Sequence, residues 1–312
     1  MNTTLPISSR ERFFGRLRFN SGCYLIILPT IALLLTFVYL PVVWAFLKSF
    51  YEFEVGTKPQ YVGLANYVEY LTQDPPTWVS VLNMFLLTFF NVAVRMIFPL
   101  IIARLIYALP GERARHYYRL AFLIPMVVPA IAVQLLWSRM IFAEYGMLNE
   151  TLNMIGLTSW TRGWLGDPQT ALAAVMCIGF PFVGGFEVLI YYAGFSNIPD
   201  SVNEAATLEG CTGLNRFFRI ELPLVLSQIK LIVILTVIGG VQGFESLLVL
   251  TKGGPGFKTM VPGLWMYYNA FSFQRMGYAC AIGVLLFVAI LTLTLLNLRY
   301  FRSTEELQGD EI

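Results

Sequence analysis

The chain has little charge and few of the residues that form catalytic or metal centres. Only 13% of its 312 residues are charged, and His116 is its one histidine. A Ser-His-Asp triad or a histidine-based zinc site is therefore hard to assemble from these residues. The nucleotide-binding pattern G-x-x-x-x-G-K-[ST] is missing, because Phe257 separates Gly256 from Lys258 in the most similar run. We expect no catalytic residue, no metal and no cofactor bound by this chain, and hence no enzyme.

Apolar residues are what the chain has in abundance. They make up 57% of it, with a mean hydropathy of +0.66, which is more than a soluble domain of this length could bury. Its four cysteines lie mostly in apolar segments, so no disulfide is indicated. A helix of about 20 apolar residues crosses about 30 Å of hydrocarbon. Six segments meet this condition, namely 22–47, 79–109, 119–141, 170–195, 228–250 and 278–298. We therefore predict an all-α membrane protein with six transmembrane helices.

The positions of the arginines predict how the chain is oriented. Four arginines between residues 10 and 18 precede the first span, so the N-terminus is expected on the cytoplasmic side. No small-residue cleavage site follows that span, which favours an anchor over a cleaved signal peptide. Six spans then place most other cations on the same side. The predicted organisation is a cytoplasmic tail at 1–21, one transmembrane domain at 22–300 and a cytoplasmic tail at 301–312.

A polar segment, residues 197–228, separates the fourth and fifth predicted spans. Pro199 and Asp200 favour a helix start, and Gly210 allows the helix to break. Pro223 is expected to end or redirect a second helix. The segment therefore predicts two short helices joined by a turn on the cytoplasmic side.

This segment contains a motif that runs Glu204-Ala205-Ala206, then Gly210, then Phe217 and Ile220-Glu221-Leu222-Pro223. The motif resembles the EAA loop of permease subunits in ATP-binding-cassette (ABC) importers. A bare EAA triplet is more often an amphipathic connector lying on lipid headgroups, but the ordered pattern favours the EAA loop. Two positions depart from the usual form, since Glu209 stands where aspartate is common and Ser227 where a second proline often occurs.

Further elements narrow the resemblance to one group of importers. The most specific is Thr251 followed by Gly253-Gly254-Pro255, and Val62-Gly63-Leu64-Ala65-Asn66-Tyr67 adds to it. Their order is similar to that in carbohydrate permeases of the maltose and glycerol-phosphate type, in the MetI-like superfamily. This resemblance implies a bacterial inner-membrane importer. Its implied partners are a second, homologous permease in a heterodimer, two ATPase subunits that bind ATP and Mg, an extracytoplasmic solute-binding protein and the lipid bilayer, with no nucleic acid.

The resemblance also implies which residues couple the permease to the ATPase. In the family the ATPase docks on the EAA loop, here residues 197–228. The residues expected to cap, pack or anchor this coupling helix are Glu204, Ala205, Ala206, Glu209, Gly210, Phe217 and Phe218.

The solute path is expected where polar groups lie at membrane depth. Such groups are costly unless they face the bundle interior or water, and aromatic faces with amide or carboxylate acceptors suit a hydroxylated ring. The candidates are Gln242, Phe244, Glu245, Phe186 and Glu187, favoured by the resemblance, with Arg95, Gln134 and Trp137. The alternative interpretation is that Arg95 forms a structural ion pair with Glu187 or Glu245 and that the aromatic residues only pack.

Two alternatives for the function remain open at this point. The same importer type could carry glycerol phosphate or another non-sugar solute, although Arg95 alone is a plausible cation for an anion, which favours a neutral or weakly charged glycoside. A protein of another class, an ATPase-independent carrier or a membrane scaffold, also fits six spans with a few buried charges.

Overall fold

The computed structural model describes residues 21–54 and 56–300. Within these ranges nearly all regular structure is helical, and the two short strands β1 (Tyr51–Glu52) and β2 (Gln60–Tyr61) pair antiparallel. The predicted all-α class is confirmed. The predicted tails lie outside the described residues, apart from residue 21.

The helices follow one another with mostly short connections, the longest being residues 49–64 and 155–170. In chain order they are α1 (Ser21–Leu34), α2 (Leu40–Lys48), α3 (Ala65–Thr72), α4 (Thr77–Tyr107), α5 (Glu112–Leu123), α6 (Ala130–Leu136), α7 (Met147–Met154), α8 (Ala171–Cys177), α9 (Gly185–Ser196), α10 (Asp200–Leu208), α11 (Gly213–Arg216), α12 (Leu222–Leu224), α13 (Leu226–Gln242), α14 (Glu245–Leu250), α15 (Pro262–Tyr267) and α16 (Met276–Tyr300). Single π-helical turns lie at Leu35–Tyr39, Trp137–Ile141, Phe217–Glu221 and Tyr268–Ser272, and 3₁₀ turns at Ile124–Val127 and Thr158–Trp160.

Three described helices are long and apolar enough to cross a membrane without a break. They cover Tyr24–Lys48, Thr77–Tyr107 and Met276–Asn297, and they agree with the first, second and sixth predicted spans. The first of them runs through α1, its π turn and α2 with almost all of its apolar side chains exposed. Such a surface suits hydrocarbon or another membrane subunit better than water.

The other three predicted spans are not straight helices. The third, 119–141, bends by 80° next to Pro129. A second bend, of 66°, lies just before the fifth, between the helical segments Gly213–Leu224 and Leu226–Gln242. Counting each bent pair as one span gives up to five spans by length and composition. Proline removes a backbone N–H donor and clashes with the preceding turn, which explains the first bend.

The fourth predicted span, 170–195, consists of two helices. Helix α8 ends at Cys177 and α9 begins at Gly185. The connection contains Pro181 and flanking glycines, which lower helix stability. The fifth, 228–250, is likewise interrupted where α13 gives way to α14 at Gly243. Non-helical backbone at membrane depth is tolerated where it is buried in protein or lines a water-filled cavity.

Helix α4 is the centre of the packing. It contacts both α9 and α13 along its length. One buried apolar cluster joins these three helices and consists of Leu100, Ala103, Ile106, Val188, Tyr191, Tyr192, Phe195, Ile198, Val225, Ile229 and Ile232. Helices α4 and α13 come very close at Gly240, where an added Cβ would lie 2.5 Å from the Thr88 Oγ1 atom. The glycine is therefore needed for this contact.

Candidate functional site: a polar cleft and the EAA loop

A cleft of about 420 Å³ lies between α4, α6, α8, α13 and α14. Helix α4 contributes Leu87, Asn91 and Arg95, which share one face because they are four residues apart. These residues lie in the middle of a 31-residue helix, at membrane depth. The interruptions of the fourth and fifth predicted spans border the same cleft, since Ile178 and Gly243 are among its lining residues.

Polar groups of several kinds face this cleft. The Nε2 atom of Gln134 donates to the Ser246 Oγ atom at 2.6 Å, and Asn91 and Thr236 add an amide and a hydroxyl. Phe244 also lines the cleft, and its ring packs against Tyr267 with 5.5 Å between centroids. The cleft can therefore offer hydrogen-bond donors, acceptors and one aromatic residue to a polar solute.

The charged pair of the cleft is Arg95 with Glu187. The Arg95 Nη1 atom donates to the Glu187 Oε1 atom, which is the ion pair that the sequence offered as an alternative. Glu187 is buried, with a side chain 6% exposed, whereas the Arg95 side chain is 52% exposed. Arginine has five N–H donors, and the described residues occupy one of them. The remaining donors are available toward the cleft.

The structure separates the eight residues predicted for the solute path. Arg95, Gln134 and Phe244 line the cleft, with Glu187 behind Arg95. The others do not line it: Gln242, Glu245 and Phe186 are exposed, and Trp137 borders a separate apolar hollow of about 240 Å³. Sequence reasoning missed Ser246 and Thr236, because a serine or threonine in a helix is common and gives no distinctive signal.

The EAA loop, residues 197–228, has the predicted two-helix form. Helix α10 begins after Pro199, and Gly210 has a φ of +71°, a left-handed conformation that a residue with a Cβ rarely adopts. Helix α11 then continues through the π turn into α12. The run breaks at Val225, two residues after Pro223, and bends there by 66°, in agreement with the expectation that Pro223 ends or redirects the second helix. Proline is tolerated in the first turn of a helix, which is where α12 holds it.

The outer side of the EAA loop exposes apolar residues. Leu208 is 89% exposed, Leu214 75% and Phe218 59%, and we call these three residues the loop patch. Beside it is a hollow of about 510 Å³ lined by Glu204 among others. Exposed apolar patches of this kind are typical of interaction surfaces.

The predicted coupling residues divide between the two sides of the loop. Ala206 is buried, and Phe217 packs against the cluster on α4 and α9. On the outer side the exposed residues are Glu204, Ala205, Glu209, Gly210 and Phe218. Of the two phenylalanines expected to anchor the loop, only Phe217 packs into the bundle.

A buried carboxylate that sequence reasoning did not select lies under this loop. Glu221 is 0% exposed and accepts a hydrogen bond from the Arg104 Nε atom. Its Oε1 atom is 3.0 Å from the Arg216 Nε atom, although the two are not aligned for a hydrogen bond. Arg216 Nη2 in turn donates to the Asn203 Oδ1 atom, and Asn203 Nδ2 donates to the Tyr107 hydroxyl at 3.1 Å. The available signal was an acidic residue among apolar neighbours before Pro223.

A second polar cluster joins α3 to α16 at the other end of the bundle. Glu69 and Arg275 form a bidentate pair at 2.7 and 2.8 Å, and this hydrogen bonding raises the pKa of Arg275. Asp74 accepts hydrogen bonds from the Trp265 Nε1 atom and the Tyr278 hydroxyl. Burial raises the pKa of the neighbouring Tyr70 to about 12.

Comparison with known proteins decides the family. Residues 96–304 match the family described as binding-protein-dependent transport system inner membrane component. The chain belongs to this family. The match covers part of α4 and everything after it that forms the cleft and the EAA loop. This permease is therefore a membrane-spanning translocation component, and the family gives no indication of a catalytic role.

Individual relatives and a solved structure agree with this assignment. The permease is 31% identical over 284 residues to the probable ABC transporter permease protein YurN of Bacillus subtilis, covering 91% of this chain and 97% of YurN. It is 32% identical over 305 residues to the trehalose/maltose transport system permease protein MalF of Thermococcus litoralis, covering 96% and 98%. A chain of a bacterial alginate ABC transporter, at 22% identity, has the same fold, with a TM-score of 0.79 over 92% of this chain and 96% of that one. The resemblance to carbohydrate importer permeases is confirmed.

Proposed function

We propose that this permease forms, with a second homologous permease, the translocation path of an ATP-driven importer for a sugar. One observation carries the proposal: a polar cleft lies at membrane depth in a chain of the permease family. Polar lining at that depth is costly unless something polar occupies it. A solute that crosses the membrane through the cleft is such an occupant.

The chemistry of the cleft supports a neutral or weakly charged glycoside. Amides at Asn91 and Gln134, the Ser246 hydroxyl and spare donors on Arg95 match the hydroxyl groups of a sugar, and Phe244 offers an apolar face to its ring. The Arg95 charge is compensated by Glu187, so the pair has no net charge to recruit an anion. MalF of Thermococcus litoralis, whose name states trehalose and maltose transport, matches almost the full chain.

The partners follow from the same proposal. The EAA loop would dock one of two ATPase subunits, which bind ATP and Mg, through the loop patch and the neighbouring hollow at Glu204. An extracytoplasmic solute-binding protein would deliver the sugar to the opposite side. The exposed apolar rod of α1 and α2 offers a surface to lipid or to the second permease. In this proposed orientation the EAA loop and both termini lie in the cytoplasm.

Reconstitution tests this proposal directly. The permease is purified with its co-expressed ATPase and binding protein, placed in liposomes and assayed for ATP hydrolysis with monosaccharides, disaccharides, oligosaccharides and glycerol phosphodiesters. We expect one class of sugar to stimulate hydrolysis and to be taken up. Stimulation by glycerol phosphodiesters alone would contradict the proposal that the solute is a sugar. Uptake without any bound ATPase would contradict the ATP-driven importer and favour an ATPase-independent carrier.

A further inference from the structure

The buried polar contacts under the EAA loop form a closed ring that begins and ends on α4. From Arg104 the contacts pass to Glu221, Arg216 and Asn203, and they return to α4 at Tyr107. We call these five residues the Glu221 ring. The ring does not line the cleft and is not part of the loop patch, although Asn203 and Arg216 also border the hollow at Glu204. It therefore needs an explanation of its own.

Burial makes Glu221 dependent on its two arginines. An ionised carboxylate without contact to solvent is strongly destabilising unless cations and donors surround it. Arg104 and Arg216 are also mostly buried, with side chains 23% and 21% exposed. Ionic contacts of this kind are directional, whereas apolar packing allows helices to slide past one another by small amounts. The ring thus fixes the angle at which the loop meets α4.

The same helix connects the ring to the cleft. Arg104 and Tyr107 are one turn apart on α4, and Arg95 lies nine residues before Arg104. At a rise of 1.5 Å per residue, about 14 Å of helix separates the ring from the cleft. Helix α4 is continuous between them. A displacement of the loop would reach Arg95 along one helix, past Pro99, which lacks the N–H that would bond to the Arg95 carbonyl.

We propose that Glu221 is a positioning residue that makes the EAA loop and α4 move as one body. Movement that the ATPase imposes on the loop patch is passed through the Glu221 ring to α4 and changes the width of the cleft. This inference rests on the proposed function, because it assumes an ATPase on the loop. It adds a specific transmission element, located in a position of the motif that was not expected to carry a role.

The test follows the loop and the cleft separately and needs no knowledge of the sugar. The permease with its co-purified ATPase subunits is placed in lipid nanodiscs. Hydrogen–deuterium exchange is measured by mass spectrometry with and without ATP and vanadate, on peptides covering residues 200–218 of the loop and 243–250 of the cleft wall. ATP hydrolysis is measured on the same samples.

In the wild-type complex we expect nucleotide to change the exchange of both peptides. In Glu221→Gln we expect the loop to respond as before and the response of the cleft peptide to fall at least threefold, because the docking surface is intact but its link to α4 is broken. A ring that only stabilises the fold would leave the ratio of the two responses unchanged. Glu112→Gln is the matched control, since it removes an exposed carboxylate that pairs with Arg115 outside the ring.

A second variant decides the outcome if Glu221→Gln does not assemble. Tyr107→Phe opens the ring on its α4 side, changes no residue that lines the hollow at Glu204 and leaves both arginines beside Glu221. We expect a loss of about twofold in the cleft response. Wild-type ratios in the assembled ring variants would overturn the inference and leave the proposed function standing. Absence of any response of the wild-type cleft to nucleotide would overturn the proposed function itself.

Discussion

Two carboxylates, Glu187 and Glu221, are each held by an arginine of α4, and they differ in what surrounds the pair. Glu187 has one arginine, Arg95, which is half exposed beside the cleft. Glu221 lies between Arg104 and Arg216, which are both mostly buried. The first pair keeps donors free for another molecule, whereas the second uses its contacts within the chain. Helix α4 thus carries one ion pair that can bind a solute, at Arg95, and one that holds the EAA loop in place, at Arg104.

The largest expected effect on stability comes from breaking the Glu221 ring. Arg104→Met removes one cation from a fully buried carboxylate, and breaking a buried pair in this way costs about 3–5 kcal/mol of the free energy of unfolding. We expect a lower melting temperature and less assembled complex, measured by thermal unfolding in detergent. Glu112→Gln is the control, because it breaks the pair with Arg115 at an exposed carboxylate and exposed pairs contribute only about 0–1 kcal/mol. Equal losses in the two variants would contradict the comparison.

The next effect separates docking from stability. Glu204 is exposed on the outer side of the EAA loop, so Glu204→Lys should leave folding and membrane insertion intact. It reverses a charge at the proposed ATPase contact, and we expect sugar-stimulated ATP hydrolysis to fall at least tenfold. Gly210→Val should have the same effect and also lose about 1–2 kcal/mol of stability, because its φ is positive. Wild-type stimulation in Glu204→Lys would remove this surface from the coupling.

The sequence predicted the ends of the molecule's straight elements better than its interruptions. The first, second and sixth spans agree with Ser21–Lys48, Thr77–Tyr107 and Met276–Tyr300 to within a few residues. A long apolar run satisfies its backbone hydrogen bonds in a membrane as a helix, and the first two of these helices do so with Pro29 and Pro99 inside them. The fourth span contains Pro181, which disfavours an unbroken helix. Hydropathy does not report that the break extends from Cys177 to Gly185.

The two functional regions were predictable to different degrees. The EAA loop has a local signal, since Gly210 and the residues around it specify a turn between helices. The cleft does not, because its lining comes from five separate helices and only the fold brings Asn91, Gln134 and Ser246 together. The resemblance favoured Gln242 and Glu245 because they lie in a span that flanks the EAA loop, but both are exposed and neither lines the cleft.

A smaller effect is expected on transport when one glutamine that lines the cleft is compared with one that does not. Gln134→Ala removes the hydrogen bond to Ser246 and one amide from the cleft. A hydrogen bond contributes about 1 kcal/mol, which corresponds to about a fivefold lower transport rate. Gln242→Ala is the matched control, since it removes the same amide from an exposed position, and we expect less than a twofold change in uptake of the stimulating sugar. A larger loss of uptake in Gln242→Ala than in Gln134→Ala would favour the solute path predicted from the sequence, which included Gln242, over the cleft.

The smallest effect concerns the polar cluster that joins α3 to α16. It tests whether that cluster is as inaccessible to water as the Glu221 ring. Burial raises the pKa of Tyr70 from 10.0 to about 12, so the folded state holds the phenol proton at pH values where the unfolded chain has lost it. The stabilisation is present below pH 10 and is lost as the pH rises through 12. Below pH 9 we expect the free energies of unfolding of wild type and Tyr70→Phe to agree within about 1 kcal/mol. Between pH 10 and 12 the melting temperature of the wild type should fall more steeply, because Tyr70→Phe lacks the titrating group while all other groups are shared. Parallel curves would show that water reaches Tyr70, and the cluster would then resemble the open pair at Arg95 more than the closed ring.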